Sequence, residues 1–410
     1  MRPRQRYAAI GAVATATLLL AACSSSSSSS SSSGSGASAA GSSPILVGSS
    51  LPLSGPFAEQ GDLMRDAYQL ETADWNAKGG IDGRKIQLVF YDDKFDPTTA
   101  AANVVKMVTQ NHVVAMLGTY GSDQAIAASA VAEQYKLPNI QPEAAAPNMT
   151  TRGYKYLFNT QTDAHDVQSE IDAYLKADIK PATAALIYDN NPFSIGEADV
   201  GLQQLPAQGT KVVANEEITI GEPNYTSTVE AVAAKKPDAV LMVVYPDDYV
   251  TLVKDFEQIN YLPKFLYVQS DLGFDPSGTQ ALGKAADYIV GTPDWYAGSP
   301  FASANAFAQQ FTAKYNQPGQ GEVIKAAQAA DILYTGMTTA KSTVGINIAD
   351  AISSMNASLI GGQVSFYSDG QAKLPVVVAQ LQHLKGVQLY PPASGDGTFI
   401  PPPPWSDSSR

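Results

Sequence analysis

The chain has 410 residues, of which 44% are hydrophobic and 16% charged, and its formal net charge at pH 7 is −13. An acidic protein of this kind is a poor partner for nucleic acid and for anionic lipid headgroups. The single cysteine, Cys23, excludes a disulfide within the chain.

The first 43 residues have the pattern of an export signal followed by a tether. Three arginines precede an apolar stretch at 7–20 that is too short to span a bilayer comfortably. Small residues stand directly before Cys23, and a run of serines follows it. We expect residues 1–22 to be a signal peptide, and residues 23–43 to form a flexible tether that buries almost nothing apolar.

The segment Leu20-Ala21-Ala22-Cys23 resembles the lipobox of bacterial lipoproteins. The resemblance implies cleavage just before Cys23, a diacylglyceryl thioether on its sulfur, and a mature protein held on the extracytoplasmic face of the membrane by acyl chains. The alternative is that Cys23 is an ordinary residue near the cleavage site of a soluble exported protein.

From residue 45 onward, short apolar strands alternate with helical patterns, which predicts a parallel sheet covered by helices. A first series of strands is predicted at 45–50, 86–91, 113–118 and 137–141. After a connection near 158–163, a second series follows at 184–188, 212–217, 239–244, 264–268 and 287–290. Three more helices, strands at 362–367 and 375–384, and an extended proline-rich tail at 391–410 complete the chain. Two series of similar size predict two lobes.

A spaced set of motifs resembles the leucine/isoleucine/valine-binding family, the type I periplasmic binding proteins that deliver ligands to ABC importers. The resemblance extends from residue 44 to about 391, and the order and spacing of the motifs carry it. They are Leu51-Pro52-Leu53-Ser54-Gly55-Pro56, the segment 76–83, Asp92-Asp93, Asp96-Pro97, Leu117-Gly118 with Ser122, the segment 141–147, and Gly362, Phe366 and Asp369-Gly370.

The resemblance implies an α/β fold of two Rossmann-like lobes with parallel-sheet cores, joined by a three-stranded hinge, with the ligand in the cleft between them. We expect the N-terminal lobe to comprise 44–162 and 287–360, and the C-terminal lobe 163–286 and 361–390. The predicted strands also place the ligand in this cleft, because ligands of open parallel sheets bind beyond the carboxyl ends of the strands.

Ser122 is the first candidate for ligand binding. It opens a helix directly after the strand at 113–118, so its hydroxyl and the free backbone N–H groups of that helix offer a site for a carboxylate. The resemblance implies that the ligand carboxylate binds here, together with groups near Glu143 and Ala145. The alternative is that Ser122 serves only as the helix N-cap.

Glu143 and Ala145 depart from the family pattern, in which many relatives have a small residue and a hydroxyl. A carboxylate pointing into the cleft would repel a ligand carboxylate unless it meets a cation. Either Glu143 contributes only its backbone, or the ligand is not a simple leucine-like zwitterion. The region of the ammonium site contains Gln269 and Asp271, and Asp271 matches the usual acidic group only with a shift of register.

Aromatic residues are expected to form one wall of the cleft. Phe193 and Tyr245 match positions where the family has aromatic side chains from the second lobe, although either residue could simply pack at a strand end. Gln60 stands where relatives often have an aromatic residue, so the side of the pocket formed by the first lobe is expected to be more polar.

We therefore expect a membrane-tethered, solute-binding lipoprotein of an ABC importer that closes on a branched-chain or other amino acid, or an amide-like compound. The chain has no catalytic or zinc-binding motif, so we expect no enzyme activity, cofactor or metal, and we expect a monomer whose partner is the permease. A sensory lipoprotein that signals without transport has the same sequence features. A surface hydrolase is the third alternative.

Overall fold

A computed structural model describes residues 43–162, 164–392 and 397–407. The first part of the chain builds a parallel sheet of five strands in the order β2-β1-β3-β4-β5. The central strand β1 is buried along nearly its whole length, as is typical of a sheet covered on both faces. The strands are β1 (Ile45–Leu51), β2 (Ile86–Asp92), β3 (Ala115–Leu117), β4 (Asn139–Gln141) and β5 (Leu157–Asn159), and the helices between them are α1 (Ala58–Ala77), α2 (Pro97–Thr109) and α3 (Ser122–Gln134).

The second lobe has a seven-stranded sheet in the order β15-β14-β10-β9-β8-β6-β7. Its strands from β6 to β10 pair in parallel, and a C-terminal hairpin adds two antiparallel strands at one edge. The helices are α4 (Ala164–Tyr174), which continues as a π-helical turn at Leu175–Ile179, α5 (Pro192–Ala207), α6 (Thr226–Lys235), α7 (Pro246–Gln258) and α8 (Pro276–Leu282). The strands are β6 (Thr183–Asp189), β7 (Lys211–Ile218), β8 (Ala239–Val243), β9 (Phe265–Val268) and β10 (Val290–Gly291).

The chain then returns to the first lobe with α9 (Ala302–Tyr315), α10 (Gly321–Ala340) and α11 (Gly345–Ser353). Helix α10 is buried on almost all sides, because it lies between α1 and α11 within the first hydrophobic core. A small antiparallel sheet of β11 (Asn356–Leu359), β12 (Gly362–Phe366) and β13 (Ala372–Lys373) follows. The hairpin of β14 (Val378–Gln382) and β15 (Lys385–Tyr390) completes the second sheet.

Three crossings connect the lobes, after β5, after β10 and between β13 and β14. Side chains of neighbouring crossings are hydrogen-bonded to one another. The Thr162 hydroxyl donates to Asp294 Oδ1 at 2.7 Å, and Gln371 Nε2, directly before β13, donates to the Gln161 carbonyl of the first crossing at 2.8 Å. The structure confirms the predicted α/β architecture of two parallel-sheet lobes joined by a three-stranded hinge.

Two segments lie on the other side of the predicted lobe boundaries. Strand β10 was expected in the N-terminal lobe, but it pairs with β9 in the second sheet. Strands β12 and β13 were expected in the C-terminal lobe, but Val364, Phe366 and Ala372 belong to the hydrophobic core of the first. Such short strands join whichever core can bury their few apolar side chains, so their sequence pattern alone does not assign them.

The described part of the tail packs on the second lobe. Trp405 Nε1 donates to the Tyr261 carbonyl at 2.9 Å, and the Phe399 ring centroid lies 5.8 Å from that of Phe265. Gln380 and the backbone of Ile400 exchange hydrogen bonds of 2.8 and 3.0 Å. This extended segment therefore covers one edge of the second core.

Candidate functional site

A cavity lies between the two lobes, at the carboxyl ends of the parallel strands. This is where ligands of open α/β sheets bind. The lining residues come from loops of both lobes and from the start of α10. They are Tyr120, Gly121, Ser122, Glu143, Ala145, Gln161, Phe193, Val244, Tyr245, Pro246, Gln269, Ser270, Asp271, Leu272, Glu322 and Lys325.

One end of the cavity is formed by the start of α3. The N-cap residue is Gly121, with φ at 88°, and a Cβ atom there would lie 2.8 Å from the Phe95 ring, so glycine is required. Ser122 is buried, and its Oγ accepts a hydrogen bond from the Ala146 N–H at 3.1 Å. Its own hydroxyl proton is therefore directed elsewhere. Because the first N–H groups of a helix have no partner within the helix, this end of the cavity suits an anionic group.

The prediction that Ser122 opens the helix is confirmed, but the alternative in which it is the N-cap is wrong, because Gly121 holds that position. The hydroxyl of Ser122 instead fixes the loop after β4 against the start of α3. The Glu143 carbonyl accepts from the Gly121 N–H at 3.1 Å and joins the same two segments. Loop and helix start are thus held together on the first-lobe side of the cavity.

Aromatic side chains cross the cleft around Tyr245. The ring of this second-lobe residue lies 5.2 Å from that of Phe57 and 6.4 Å from that of Tyr120, both in the first lobe, and 6.1 Å from that of Phe193. Ala145 of the first lobe packs with Phe193 in one apolar cluster. The lobes therefore contact each other directly over one side of the cavity, as expected of a closed arrangement.

The position of Tyr245 is fixed from behind by Asp189. The Tyr245 N–H donates to Asp189 Oδ2 at 2.6 Å, and Asp189 is completely buried at the end of β6. Burial and the nearby Asp248 raise the pKa of Asp189 to about 8. The aromatic wall is thus anchored to the second sheet by a buried acid.

The other end of the cavity holds a buried ion cluster around Lys325, which is 7% exposed. Its Nζ lies 2.9 Å from Glu143 Oε2 in the first lobe, 2.9 Å from Asp271 Oδ2 in the second, and 3.7 Å from Asp294 Oδ2 at the hinge. Gln161 Oε1 also accepts from it at 3.3 Å. One cation therefore joins both lobes and the hinge.

Burial and charge shift the pKa values of this cluster. Burial alone lowers the pKa of Lys325, but attraction by Asp271, Glu143, Asp294 and Glu322 outweighs it and raises the pKa well above its usual value. Burial raises the pKa of Glu143 to about 8 despite the attraction of Lys325. Burial also raises the pKa of Glu322 and of Asp294. Near neutral pH, Lys325 is charged and Glu143 mostly carries a proton.

Seven of the eight residues predicted to bind a ligand line the cavity: Ser122, Glu143, Ala145, Phe193, Tyr245, Gln269 and Asp271. Gln60 lies on α1 and is absent from the described residues that line the cavity. That these seven bind a ligand remains a prediction. Both alternatives for Glu143 stay open. The structure adds that the Glu143 side chain contacts the Lys325 ammonium.

Sequence reasoning missed Lys325 and Glu322. Both lie in the first turns of α10, whose other early residues are apolar or small. Charged residues at positions i and i+3 of a helix that is otherwise fully buried are a usable signal, because a buried charge needs a partner. The partners come from loops distant in the sequence.

Membrane-spanning helices and metal-ligand clusters were also sought among the described residues. Across 43–162, 164–392 and 397–407, every helix is too short or too polar to cross a bilayer. Within these same ranges, groups of three or more potential metal ligands suited to holding an ion are absent. Cys23 and the residues predicted to form the signal peptide and the tether lie outside the described residues.

Comparison with known proteins connects this geometry to a family. A family model for periplasmic binding proteins matches residues 44–387. The Leu/Ile/Val-binding protein of Escherichia coli (strain K12) is 32% identical over 188 residues, which are 46% of this chain and 51% of that protein, so the match spans about half the length of the relative. Leu/Ile/Val-binding protein homolog 7 of Brucella suis biovar 1 is 25% identical over 372 residues, covering 86% of this chain and 93% of that protein.

Two solved structures share the fold. The branched-chain amino acid transporter substrate binding protein LivJ from Streptococcus pneumoniae, in complex with isoleucine, superposes with a TM-score of 0.77 at 22% identity, covering 84% of this chain and 97% of that one. A solute binding protein of an ABC transporter from R. palustris, in complex with benzoate, gives a TM-score of 0.75 at 22% identity, covering 84% and 95%. At such identities the likeness concerns the fold alone.

Proposed function

The chain belongs to the Leu/Ile/Val-binding family of type I periplasmic binding proteins, and on that premise we propose that it is the extracytoplasmic solute receptor of an ABC importer. It captures one small carboxylate-bearing solute between its lobes and presents the closed form to the permease. A hinge of three crossings allows the lobes to separate, and the ligand shifts the population from open to closed.

The observation that carries this proposal is the cavity enclosed between two lobes that contact each other, with Ser122 and the start of α3 at one end. Its lining comes from both lobes, as is typical of ligand sites at the interface between domains. Apolar walls from Phe193 and Tyr245 can cover a hydrophobic group, while the helix start pairs with an anion. Binding requires no covalent chemistry.

The relatives support a carboxylate as the recognised group. LivJ was solved with isoleucine and the R. palustris protein with benzoate, and these two compounds share a carboxylate but only isoleucine has an amine. In this chain the candidate carboxylate position is Ser122 with the first N–H groups of α3. Branched-chain and other amino acids, amide-like compounds and simple carboxylic acids are the classes to compare.

We further propose that Cys23 carries the lipid anchor and that residues 23–43 tether the receptor to the outer face of the membrane. The lipobox-like segment and the apolar stretch before it support this proposal.

A thermal-shift panel of the ligand-stripped protein tests the receptor proposal. The panel contains aliphatic amino acids, their analogues without the amine, amides, polyamines and aromatic acids. A compound at 100 times its dissociation constant adds about 2.7 kcal/mol to the free energy of unfolding. We expect at least one carboxylate to raise the melting temperature, and a folded protein that responds to none of these compounds would contradict the proposal.

A sensory receptor would bind the same compound without importing it. Uptake of that compound by cells that lack the chain separates the two functions. We expect uptake to fall in such cells and to return when the chain is supplied again, whereas unchanged uptake would favour signalling.

A further inference from the structure

We propose that Lys325 makes this site selective for carboxylic acids that lack an amino group, because the lysine ammonium already occupies the acidic end of the cavity. This inference rests on the proposed receptor function and specifies its ligand. The lysine thus stands in for the amine that an amino acid would bring.

Asp271 has no acceptor left for a ligand amine. Its Oδ1 accepts the backbone N–H groups of Asp294 at 2.7 Å and Trp295 at 3.3 Å. Its Oδ2 lies 2.9 Å from Lys325 Nζ and accepts from the Ser270 hydroxyl at 3.4 Å. The residue is 1% exposed, so this second-lobe acid is satisfied by the protein alone.

Lys325 is equally saturated and cannot easily leave. An ammonium group has three protons, and here it has acceptors on Glu143, Asp271, Gln161 and, more distantly, Asp294. Its helix, α10, belongs to the hydrophobic core of the first lobe, which fixes the origin of the side chain. Moving the lysine aside for a ligand amine would leave its charge buried and unpaired.

The start of α10 is also pressed against Asp271. A Cβ atom on Gly321 would lie 2.3 Å from Asp271 Cγ, so only glycine permits this approach. Between this backbone and the lysine, little room remains for a ligand ammonium beside Asp271. A second cation there would also be repelled by Lys325.

Glu143 and Glu322 are the remaining acids of the cavity. Glu143 Oε1 and Glu322 Oε2 are buried and have no hydrogen-bond partner among the described residues. Burial raises the pKa of Glu143 to about 8 and also raises that of Glu322, and a carboxyl that holds its proton donates a hydrogen bond instead of attracting a cation. These two oxygens therefore favour a ligand with acceptor groups and no amine.

Matched pairs of ligands test this inference by calorimetric titration of the ligand-stripped protein. The pairs are 4-methylpentanoate against L-leucine, and 3-phenylpropanoate against L-phenylalanine, which differ only in the α-amine. We expect the acid without the amine to bind at least tenfold more tightly in both pairs. Tighter binding of leucine and phenylalanine would overturn the inference while keeping the receptor proposal.

The variant Lys325→Met should shift the ratio of the two dissociation constants at least tenfold toward the amino acid, because Asp271 becomes free to accept an amine. Lys314→Met, on the exposed surface of α9, is the matched control and should leave the ratio unchanged. If Lys325→Met does not fold, the double variant with Glu143→Gln removes one cation and one acid together and tests the same shift.

An unchanged ratio in a folded variant that lacks Lys325 would overturn the inference. Binding of no compound in either pair or in the wider panel would overturn the receptor proposal, and this inference with it.

Discussion

Lys325 and Asp271 form an ion pair across the cleft, with 2.9 Å between Nζ on a first-lobe helix and Oδ2 on a second-lobe loop. Both side chains are almost completely buried. A buried pair of this kind adds little stability compared with apolar packing, but removing one partner leaves the other uncompensated. The pair therefore couples the contact between the lobes to the charge balance of the cavity.

Lys325→Met should destabilise the protein. Because Glu143, Asp271 and Asp294 lose their shared cation, we expect the free energy of unfolding to fall by about 3–5 kcal/mol. The raised pKa of Glu143 rises further, so the folded state binds more protons than the unfolded state, and stability is lost as pH increases from about 4 toward 8 and beyond. Denaturant unfolding at pH 5 and pH 8 measures both effects. Equal stability of Lys325→Met and the surface variant Lys314→Met would contradict the prediction.

Binding of a carboxylate ligand should depend on the protonation of Glu143. The groups that act on this side chain are Lys325, Glu322 and Asp271. Since its pKa is about 8, the neutral form that tolerates a ligand carboxylate dominates at pH 7 and is lost at higher pH. We expect the affinity for 4-methylpentanoate to fall about tenfold per pH unit above pH 8.

Glu143→Gln is the control for this titration, because glutamine has the shape of neutral glutamic acid and stays uncharged at every pH. It should bind the acid with an affinity that is flat between pH 6 and pH 9.5. A wild-type profile that is equally flat would show that Glu143 does not face the ligand.

Ser122→Ala should weaken the binding of carboxylate ligands. A hydrogen bond to a charged group contributes about 1.5–3 kcal/mol, so we expect a loss of roughly 10- to 100-fold in affinity. The matched control is Ser129→Ala on the same helix, whose hydroxyl donates to the Ala125 carbonyl away from the cavity. Calorimetric titration of both variants decides the role of Ser122. Equal affinities of Ser122→Ala and Ser129→Ala for the ligand would show that Ser122 has only a structural role.

Gly196→Ala should impair closure without weakening the fold. A Cβ atom on this second-lobe helix would lie 2.4 Å from Pro147 Cδ in the first lobe. Alanine is otherwise the better helix former by about 1 kcal/mol, so we expect weaker ligand binding with an unchanged or higher melting temperature. Gly201→Ala, on the same helix, meets Leu186 within its own lobe and serves as the control. Full affinity in Gly196→Ala would mean that binding does not need this contact.

Cys23→Ser should release the receptor from the membrane. Without the thiol no thioether can form, so the proposed acyl anchor is lost. Fractionation of cells that express each form measures the change, with Ser24→Ala as the control. Membrane retention of Cys23→Ser would contradict the proposed anchor.

Most of the fold was predictable from the sequence, because strands buried on both faces consist of consecutive apolar residues. Strand β8, Ala-Val-Leu-Met-Val, is buried at every position and was identified within one residue of its observed end. Strands β5 and β10 have only three and two residues, and the strand predicted at 287–290 shares just residue 290 with β10. Their pairing depends on the crossings, which only the tertiary structure specifies.

The site was predictable where it follows the strands. The family resemblance pointed to Ser122, Glu143 and Asp271, and their places after predicted strands agreed, because parallel strands present their carboxyl ends at one edge. Lys325 was missed because it lies on a helix that reaches the cavity from the first core, and its partners come from three separate segments. The hydrophobic periodicity of a single segment does not predict contacts between charged residues of distant segments.

Small-angle X-ray scattering of the ligand-stripped protein, titrated with 4-methylpentanoate, measures whether the two lobes close on a ligand. Capture between hinged lobes predicts that the radius of gyration decreases and saturates with the dissociation constant found by calorimetry. A compound that raises the melting temperature but leaves the radius of gyration unchanged at saturation would contradict closure of the lobes on the ligand.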